Sequence, residues 1–297
     1  MSRYSSEIIK ELSHITSSGS KPFQIFEDYL DLCLATLEAM PAHVSSAVKE
    51  HKPAEDTEET RALFAKLRER YEAVYFQRFS NAFMILLNST ETEAGELQWN
   101  DTVGEAYMEW NVSNKYSGQY FTPYHVARMM AVALDIEQTV YERLEQAYAA
   151  CPIGAMHSFM SDKPLGEFVR KMGGDLVQLC AEHFEQIKVN DCACGSGVML
   201  LAAAEQCPRW ALNWGLVQFY GQDIDATCVK MAQINMMIYG LNGFNLKTAL
   251  ALVEADFEGI PEPFQSAYRD VQKEPERLEK IHAQVIEISS PEQLKLL

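Results

Sequence analysis

From Ile187 onward the chain alternates short apolar runs, punctuated by glycine, with stretches of helical periodicity, and this alternation most constrains the fold. "IKVND" reads as a strand and "CACGSG" as a tight loop. "VMLLAAAEQC" reads as a helix and "LVQFYGQDI" as a second strand. "DATCVKMAQINMMIYG" reads as a second helix, with Val229, Ala232, Met236 and Tyr239 on one stripe and Gly240 as its stop. Further strands are expected at "NLKTALAL" and "AQVIEIS", on either side of a polar stretch broken by Pro275. Strands alternating with helices imply an α/β fold with a parallel, doubly wound sheet, here in a short version of four strands.

The first 115 residues have a different rhythm. "PFQIFEDYLDLCLATLEAM" places Phe23, Phe26, Tyr29, Leu30, Cys33 and Leu37 at helical spacing, and "AVKEHKPAEDTEET" is a polar connector. "TRALFAKLRERYEAVYFQRFSNAFMILLNS" reads as one long amphipathic segment. A helical domain over 1–115 is expected, followed by an α/β domain over 116–297. Thr122 before Pro123 has the chemistry of a helix start, threonine as N-cap and proline at the first helical position. Residues 138–186 read as a helical insertion within the second domain, where His157 and His183 stand singly and have a structural reading.

The loop from Asp191 to Gly197 carries the chemistry. In sheets of this kind ligands lie beyond the carboxyl ends of the strands. Gly195 and Gly197 allow a tight turn and a close approach to the backbone. Neither a G-x-G-x-x-G pattern nor a Gly-Lys-Ser/Thr ending is present. Instead, one acid, Asp191, precedes the loop, and a second, Asp223, ends the next strand, where ribose hydroxyls are normally held. Two acids favour a cationic, ribose-bearing ligand such as S-adenosylmethionine over a pyrophosphate. An ordinary strand-loop-helix turn fits the same residues. Cys192 and Cys194 form a C-x-C without the second pair a zinc site needs, so no metal is expected. Seven cysteines, mostly in apolar surroundings, point to reduced, buried thiols. A net charge of −17 argues against broad adhesion to nucleic acid or an anionic membrane, though a local basic groove is compatible with it. No signal peptide or membrane-length apolar run is visible, so the chain is expected to be cytoplasmic.

Asp191-Cys192-Ala193-Cys194-Gly195-Ser196-Gly197 resembles the Asp-Pro-Ala-Cys-Gly-Ser-Gly motif of adenine-N6 DNA methyltransferases, in particular the modification subunits of type I restriction-modification systems. Gly118-Gln119-Tyr120-Phe121-Thr122-Pro123 is similar to their Gly-Gln-Phe-Phe-Thr-Pro motif, and Asp101 to Tyr107 to the segment before it. Tyr220 to Asp225, followed by Ala232 to Met236 and Tyr239-Gly240, resembles their second cofactor motif and its helix. The resemblance implies a truncated Rossmann-like S-adenosylmethionine-dependent methyltransferase fold preceded by an α-helical domain. It also implies roles. Phe121, Thr122 and Pro123 would surround the methionine end of the cofactor. Asp191, with the backbone of Ala193, Gly195 and Gly197, would hold its amino acid part. Asp223 would bind the ribose, and Ile224 would touch the adenine. Cys192 stands in place of the family's proline. Pro123 and Asp191 lie 68 positions apart (191 − 123), a longer interval than the family needs.

One family element is not found. An Asn/Asp-Pro-Pro-Tyr/Phe motif normally receives the amino group of the flipped adenine. None of the eleven prolines is adjacent to another. "PEPF" at Pro261 to Phe264 is a faint echo without an asparagine, and "SSPE" follows the last expected strand. Three readings stand. The first is an S-adenosylmethionine-binding, methyltransferase-like component of a restriction-modification or related defence system. It would not be catalytic alone, and would reach DNA through a specificity subunit and other protein subunits, with no membrane partner. The second is a non-catalytic interaction or anti-restriction protein that keeps the fold, a pseudoenzyme whose acidity could mimic DNA. The third is a small-molecule methyltransferase with a different acceptor site.

Overall fold

A computed structural model describes residues 3–50, 54–92, 94–110, 112, 120–161 and 163–243. The described residues are mostly helical, with a two-stranded parallel sheet. The N-terminal part contains α1 (Arg3–Ser13), α2 (Pro22–Glu50), α3 (Glu58–Arg70), α4 (Ala73–Asn88) and α5 (Thr102–Glu109). Next come α6 (Tyr124–Val132), α7 (Ile136–Ala150), α8 (Pro152–Met160), α9 (Leu165–Met172) and the single turn α10 (Val177–Cys180). Strand β1 (Ile187–Asp191) then leads through the glycine loop to α11 (Val198–Glu205), and the short α12 (Arg209–Asn213) leads to β2 (Val217–Gly221). Helix α13 (Ala226–Ile238) follows.

Residues 138–186 are helical for most of their length, as their periodicity predicts. The expected strand-loop-helix-strand-helix order is present from 187 to 238, and β1 and β2 pair in parallel from Ile187↔Val217 to Asp191↔Gly221. Both strands therefore deliver their carboxyl ends to one edge. The side chain of Asn242 closes the flank of β2: its Oδ1 accepts from Phe219 N at 2.7 Å and its Nδ2 donates to Phe219 O at 2.6 Å. The strands expected at 245–252 and 283–289, "PEPF" and "SSPE" lie outside the described residues, as do Gly118 and Gln119.

Three local expectations change. Helix α2 runs through Pro41 to Glu50, four residues into the expected connector that starts at Ala47. A proline removes one ladder hydrogen bond, a loss that this 29-residue helix absorbs. The long segment from Thr60 is two helices. Tyr71 and Glu72 are extended (ψ 135° and 158°), and the Tyr71 hydroxyl donates to the buried carboxylate of Asp28 at 2.7 Å. Asp28 also takes Arg70 as an ion-pair partner, so a buried charge on α2 dictates where α3 ends. Finally, α6 begins at Tyr124. Pro123 is extended (φ −59°, ψ 139°) and sits at the cap, one position before its expected place.

Two large apolar cores, with a small third one between α6 and α11 (Ala127, Ala131, Val198, Ala202), organise the described residues. One joins α1, α2, α4 and α5 through Ile8, Leu12, Phe26, Leu30, Leu86 and Tyr107. The other joins α7 to the strand-helix unit through Val140, Leu144, Leu200, Val217 and Phe219. Helix α13 belongs to both. Cys228, Met231 and Ile234 enter the first core, while Ala232 and Tyr239 enter the second. The single stripe expected from its sequence is thus half of its buried surface. Lys230 strengthens the first contact by reaching Glu27 at 2.9 Å and Asp31 at 2.5 Å on α2. Among the described residues no helix is long and apolar enough to cross a membrane.

Candidate functional site

The mouth of the site lies where β1 and β2 end. Gly195 (φ +53°) and Gly197 (φ +86°) occupy the left-handed region, which a side chain would strain. Each is also crowded. A Cβ on Gly195 would stand 3.2 Å from the Phe121 ring, and one on Gly197 would stand 3.2 Å from Ala232 Cβ. The loop therefore turns sharply because its glycines lie against an aromatic ring on one side and α13 on the other.

Four of its backbone donors are already engaged. The Ala193 amide donates to Asp191 Oδ1 at 3.0 Å, and the Gly195 amide to Asp223 Oδ2 at 2.9 Å. The Gly197 amide donates to Cys194 O at 2.7 Å, and the Cys194 amide to Gln222 O at 2.9 Å. Asp223 accepts a second bond, from Asp225 N at 2.9 Å, which leads into the N-cap of α13, where Asp225 Oδ1 accepts from Thr227 N. A carboxylate offers about four lone-pair sites. Asp191 and Asp223 thus keep acceptor capacity at a loop whose amides at 193, 194, 195 and 197 have none to give. A phosphate needs donors; this loop presents acceptors. Ammonium groups and sugar hydroxyls are what acceptors bind.

The expected aromatic and hydroxyl groups sit on one side of this mouth. Phe121 packs on Gly195 and stacks on Tyr107 of α5, with ring centroids 5.7 Å apart. Phe121, Thr122 and Pro123 line a cleft of about 290 Å³ together with Asp101, Glu105 and Glu109 of the α5 segment. Ile224, next to Asp223, is fully exposed. The expected site residues therefore fall into two groups that meet at Gly195: the cleft wall 121–123 and the strand ends 191, 193, 197, 223 and 224.

The cysteines play another part. Cys194 is buried, and burial, reinforced by the charges of Asp223 and Asp191, pushes its thiol up to about 11. It is a neutral packing group against Gly221, where an added Cβ would stand 2.9 Å from its sulfur. Among the described residues no cluster of histidine, cysteine and acids could hold a metal ion.

Sequence reasoning missed what lies behind the loop. Asp101, almost fully buried, caps α5 by accepting from Gly104 N at 2.9 Å. The same carboxylate accepts from the Ser196 hydroxyl and, at 2.8 Å, from Asn235 Nδ2 on α13. Asn235 Nδ2 also donates to Ser196 O at 2.8 Å. Burial raises the Asp101 carboxyl above its ordinary value, against the opposing effect of the bonds from Ser196, Asn235 and Gly104. The three residues lie within the motif segments, but 95 and 39 positions separate them, and no spacing rule brings them together. Tyr239 anchors the same corner. Its ring stacks on Trp99 at 4.6 Å and its hydroxyl donates to Gln98 O at 2.9 Å.

Residues 139–258 match the family model described as N-6 DNA methylase. The match contains the glycine loop, Asp223 and α13, and it bears out the resemblance to adenine-N6 DNA methyltransferases drawn from those motifs. Phe121, Thr122 and Pro123 lie before it. No curated protein and no solved structure matches the chain.

Proposed function

We propose that this chain is an S-adenosylmethionine-binding, adenine-N6 DNA methyltransferase-like protein of a restriction-modification or related defence system, and that it does not methylate DNA alone. The observation that carries the reading is the pair of acceptors, Asp191 and Asp223, set around a loop four of whose amides are already bonded. S-adenosylmethionine offers an ammonium and two ribose hydroxyls to those acceptors, and its carboxylate would be met outside the loop, where Thr122 carries a hydroxyl in the cleft wall. In this reading Asp191 takes the ammonium and Asp223 takes the ribose hydroxyls. Ile224 covers one face of the adenine. Phe121, Thr122 and Pro123 close the cleft around the methionine end, beside Glu105 and Glu109. The backbone of Ala193, Gly195 and Gly197 borders the amino acid part, with Gly195 O already taking the Cys194 thiol and Gly197 O the Leu201 amide. The bound cofactor supplies an electrophilic methyl group. The residues of this chain orient it and keep the cleft wall against it.

The acceptor half of the reaction is what this sequence lacks. No Asn-Pro-Pro-aromatic tetrad occurs among its 297 residues. In this reading the groups that receive the adenine amino nitrogen come from outside these 297 residues, and a specificity subunit brings the DNA. The chain's own part is then divided between a helical region, 1–115, and a methyltransferase-like region, 116–297, with the helical stretch 138–186 inserted. Calorimetric titration with S-adenosylmethionine tests the reading. Binding that disappears in Asp191→Ala and weakens in Asp223→Ala is expected. A wild type that does not bind would sink the cofactor assignment and leave the fold serving protein interaction instead. Labelled methyl transfer to adenine by the purified chain would overturn the dependence on a partner.

A further inference from the structure

The buried cluster behind the glycine loop borders the cleft through Asp101 and touches the loop at its centre. Ser196 stands between the two glycines at positive φ, and its side chain points away from the mouth, fully buried. Its hydroxyl meets Asp101 and its carbonyl meets Asn235. The orientation of Asn235 is fixed by its neighbours. Both acceptors it faces, Asp101 Oδ1 and Ser196 O, require the NH₂ end of the amide there. Its Oδ1 is left buried without a partner, an arrangement tolerated only where both protons of the NH₂ group are in use. Gly104 makes room for the cluster, since a Cβ there would stand 2.2 Å from Asp101 Oδ2 and 2.6 Å from Ser196 Oγ. The front of the loop is held by Asp223 through Gly195, and the back by Asp101 through Ser196.

We propose that Asp101 is a positioning residue for the glycine loop: acting through Ser196, and with Asn235 as a brace from α13, it locks the cleft wall of α5 and the cofactor loop into one unit. Both of its carboxylate oxygens are taken within the cluster, by Gly104 N, Ser196 and Asn235. The functional consequence rests on the cofactor reading above, whereas the structural consequence does not. Asp101→Asn keeps the shape and an acceptor for Gly104 and Asn235, but sets an amide NH₂ where the Ser196 proton now points. Ser196→Ala removes the same contact from the other side.

Two measurements separate positioning from bulk stability. The first is hydrogen–deuterium exchange of a peptide spanning 192–198 in the protein without ligand. The second is calorimetric titration with S-adenosylmethionine. Leu144→Ala, in the second core that also holds Cys194, is the control that lowers stability without removing a member of the Asp101–Ser196–Asn235 cluster. Faster exchange of 192–198 is expected in Asp101→Asn and Ser196→Ala, and not in Leu144→Ala. Roughly ten-fold weaker binding is expected in each of the first two, on the scale of one charge-assisted hydrogen bond. The double variant should bind no more weakly than either single one, because both act through the same contact. Loop exchange no faster than in Leu144→Ala, or losses that add in the double variant, would overturn the proposal. A wild type that fails to bind S-adenosylmethionine removes the cofactor reading alone, and the exchange comparison still decides the positioning role. If Asp101→Asn does not fold, Ser196→Ala, which lacks a single oxygen, carries the test.

Discussion

Replacing Gly104 by alanine sets two effects of opposite sign against each other. Gly104 is the third residue of α5, and in an ordinary helix Gly→Ala stabilises by about 1 kcal/mol, since glycine loses more backbone freedom on folding. Here the new methyl would stand 2.2 Å from Asp101 Oδ2, 2.8 Å from Asp101 Cγ and 2.6 Å from Ser196 Oγ. None of these atoms ends a long flexible side chain, and the carboxylate is held by three partners. Relief therefore comes only by turning Asp101 away. That forfeits an N-cap, typically about 1 kcal/mol, and a hydrogen bond to a charged group, about 1.5–3 kcal/mol. It also leaves Asn235 and Ser196 buried with fewer partners. These losses overlap, and subtracting the propensity gain leaves a net destabilisation of about 2–4 kcal/mol. Urea denaturation of wild type and Gly104→Ala, followed by far-ultraviolet circular dichroism, reads the difference directly. An alanine variant as stable as wild type, or more so, would refute the reasoning, because propensity would have won over the cluster.

Lys230→Met should cost roughly 1–2 kcal/mol, the modest value of a partly exposed ion pair raised by leaving Glu27 and Asp31 facing each other, and added salt should shrink the difference. Asp101 should work against the usual acid lability. Its folded value is raised, chiefly by burial, above the ordinary aspartate value near 3.9. Its contribution to stability is therefore complete below the ordinary value and is lost as pH rises through the folded one. Denaturation of wild type and Asp101→Asn from about pH 4 to neutrality should show wild type losing ground relative to the variant as pH increases, and a gap that is flat or widens in the other direction would contradict the sign. Thiol titration with a disulfide reagent should label Cys192 quickly in the native protein and the other six cysteines only on unfolding, because Cys192 alone of the seven is exposed. Fast labelling of two or more would place a second thiol at the surface.

The sequence made the strand-loop-helix unit legible because its signals are local. Glycines at 195 and 197, an acid at each strand end and a cap at Asp225 each act within a few residues of where they stand. What it concealed was set at a distance. The break between α3 and α4 depends on Asp28, 43 positions before Tyr71, and an amphipathic stretch gives no hint of it. The engagement of the loop amides depends on Asp223, 28 positions beyond Gly195. The loop alone suggests amides offered to a ligand, and Asp223 reads from sequence as a ligand-binding acid rather than as the loop's own partner. Asp101, Ser196 and Asn235 lay inside segments that resemble family motifs, but a motif states which residues recur in order and not which ones touch.

Helix α13 explains why the two regions of the described chain cannot be treated as a scaffold and a site. An amphipathic helix buries one stripe, whereas α13 buries two. Met231, Ile234 and Cys228 lie among the N-terminal helices. The two larger of these, at about 1.5–3 kcal/mol for each fully buried side chain, contribute on the scale of a domain's entire net stability, about 5–15 kcal/mol. The opposite face carries Ala232 against Gly197 and Tyr239 against Trp99. Asp223 and Ile224 sit just before this helix, and Asn235 within it braces the loop from behind. The position of Asp223 and the shape of the glycine loop therefore follow the seating of one helix between two cores. A change in the packing of α2 against α13 reaches the mouth of the site through the helix itself, with no contact to any ligand.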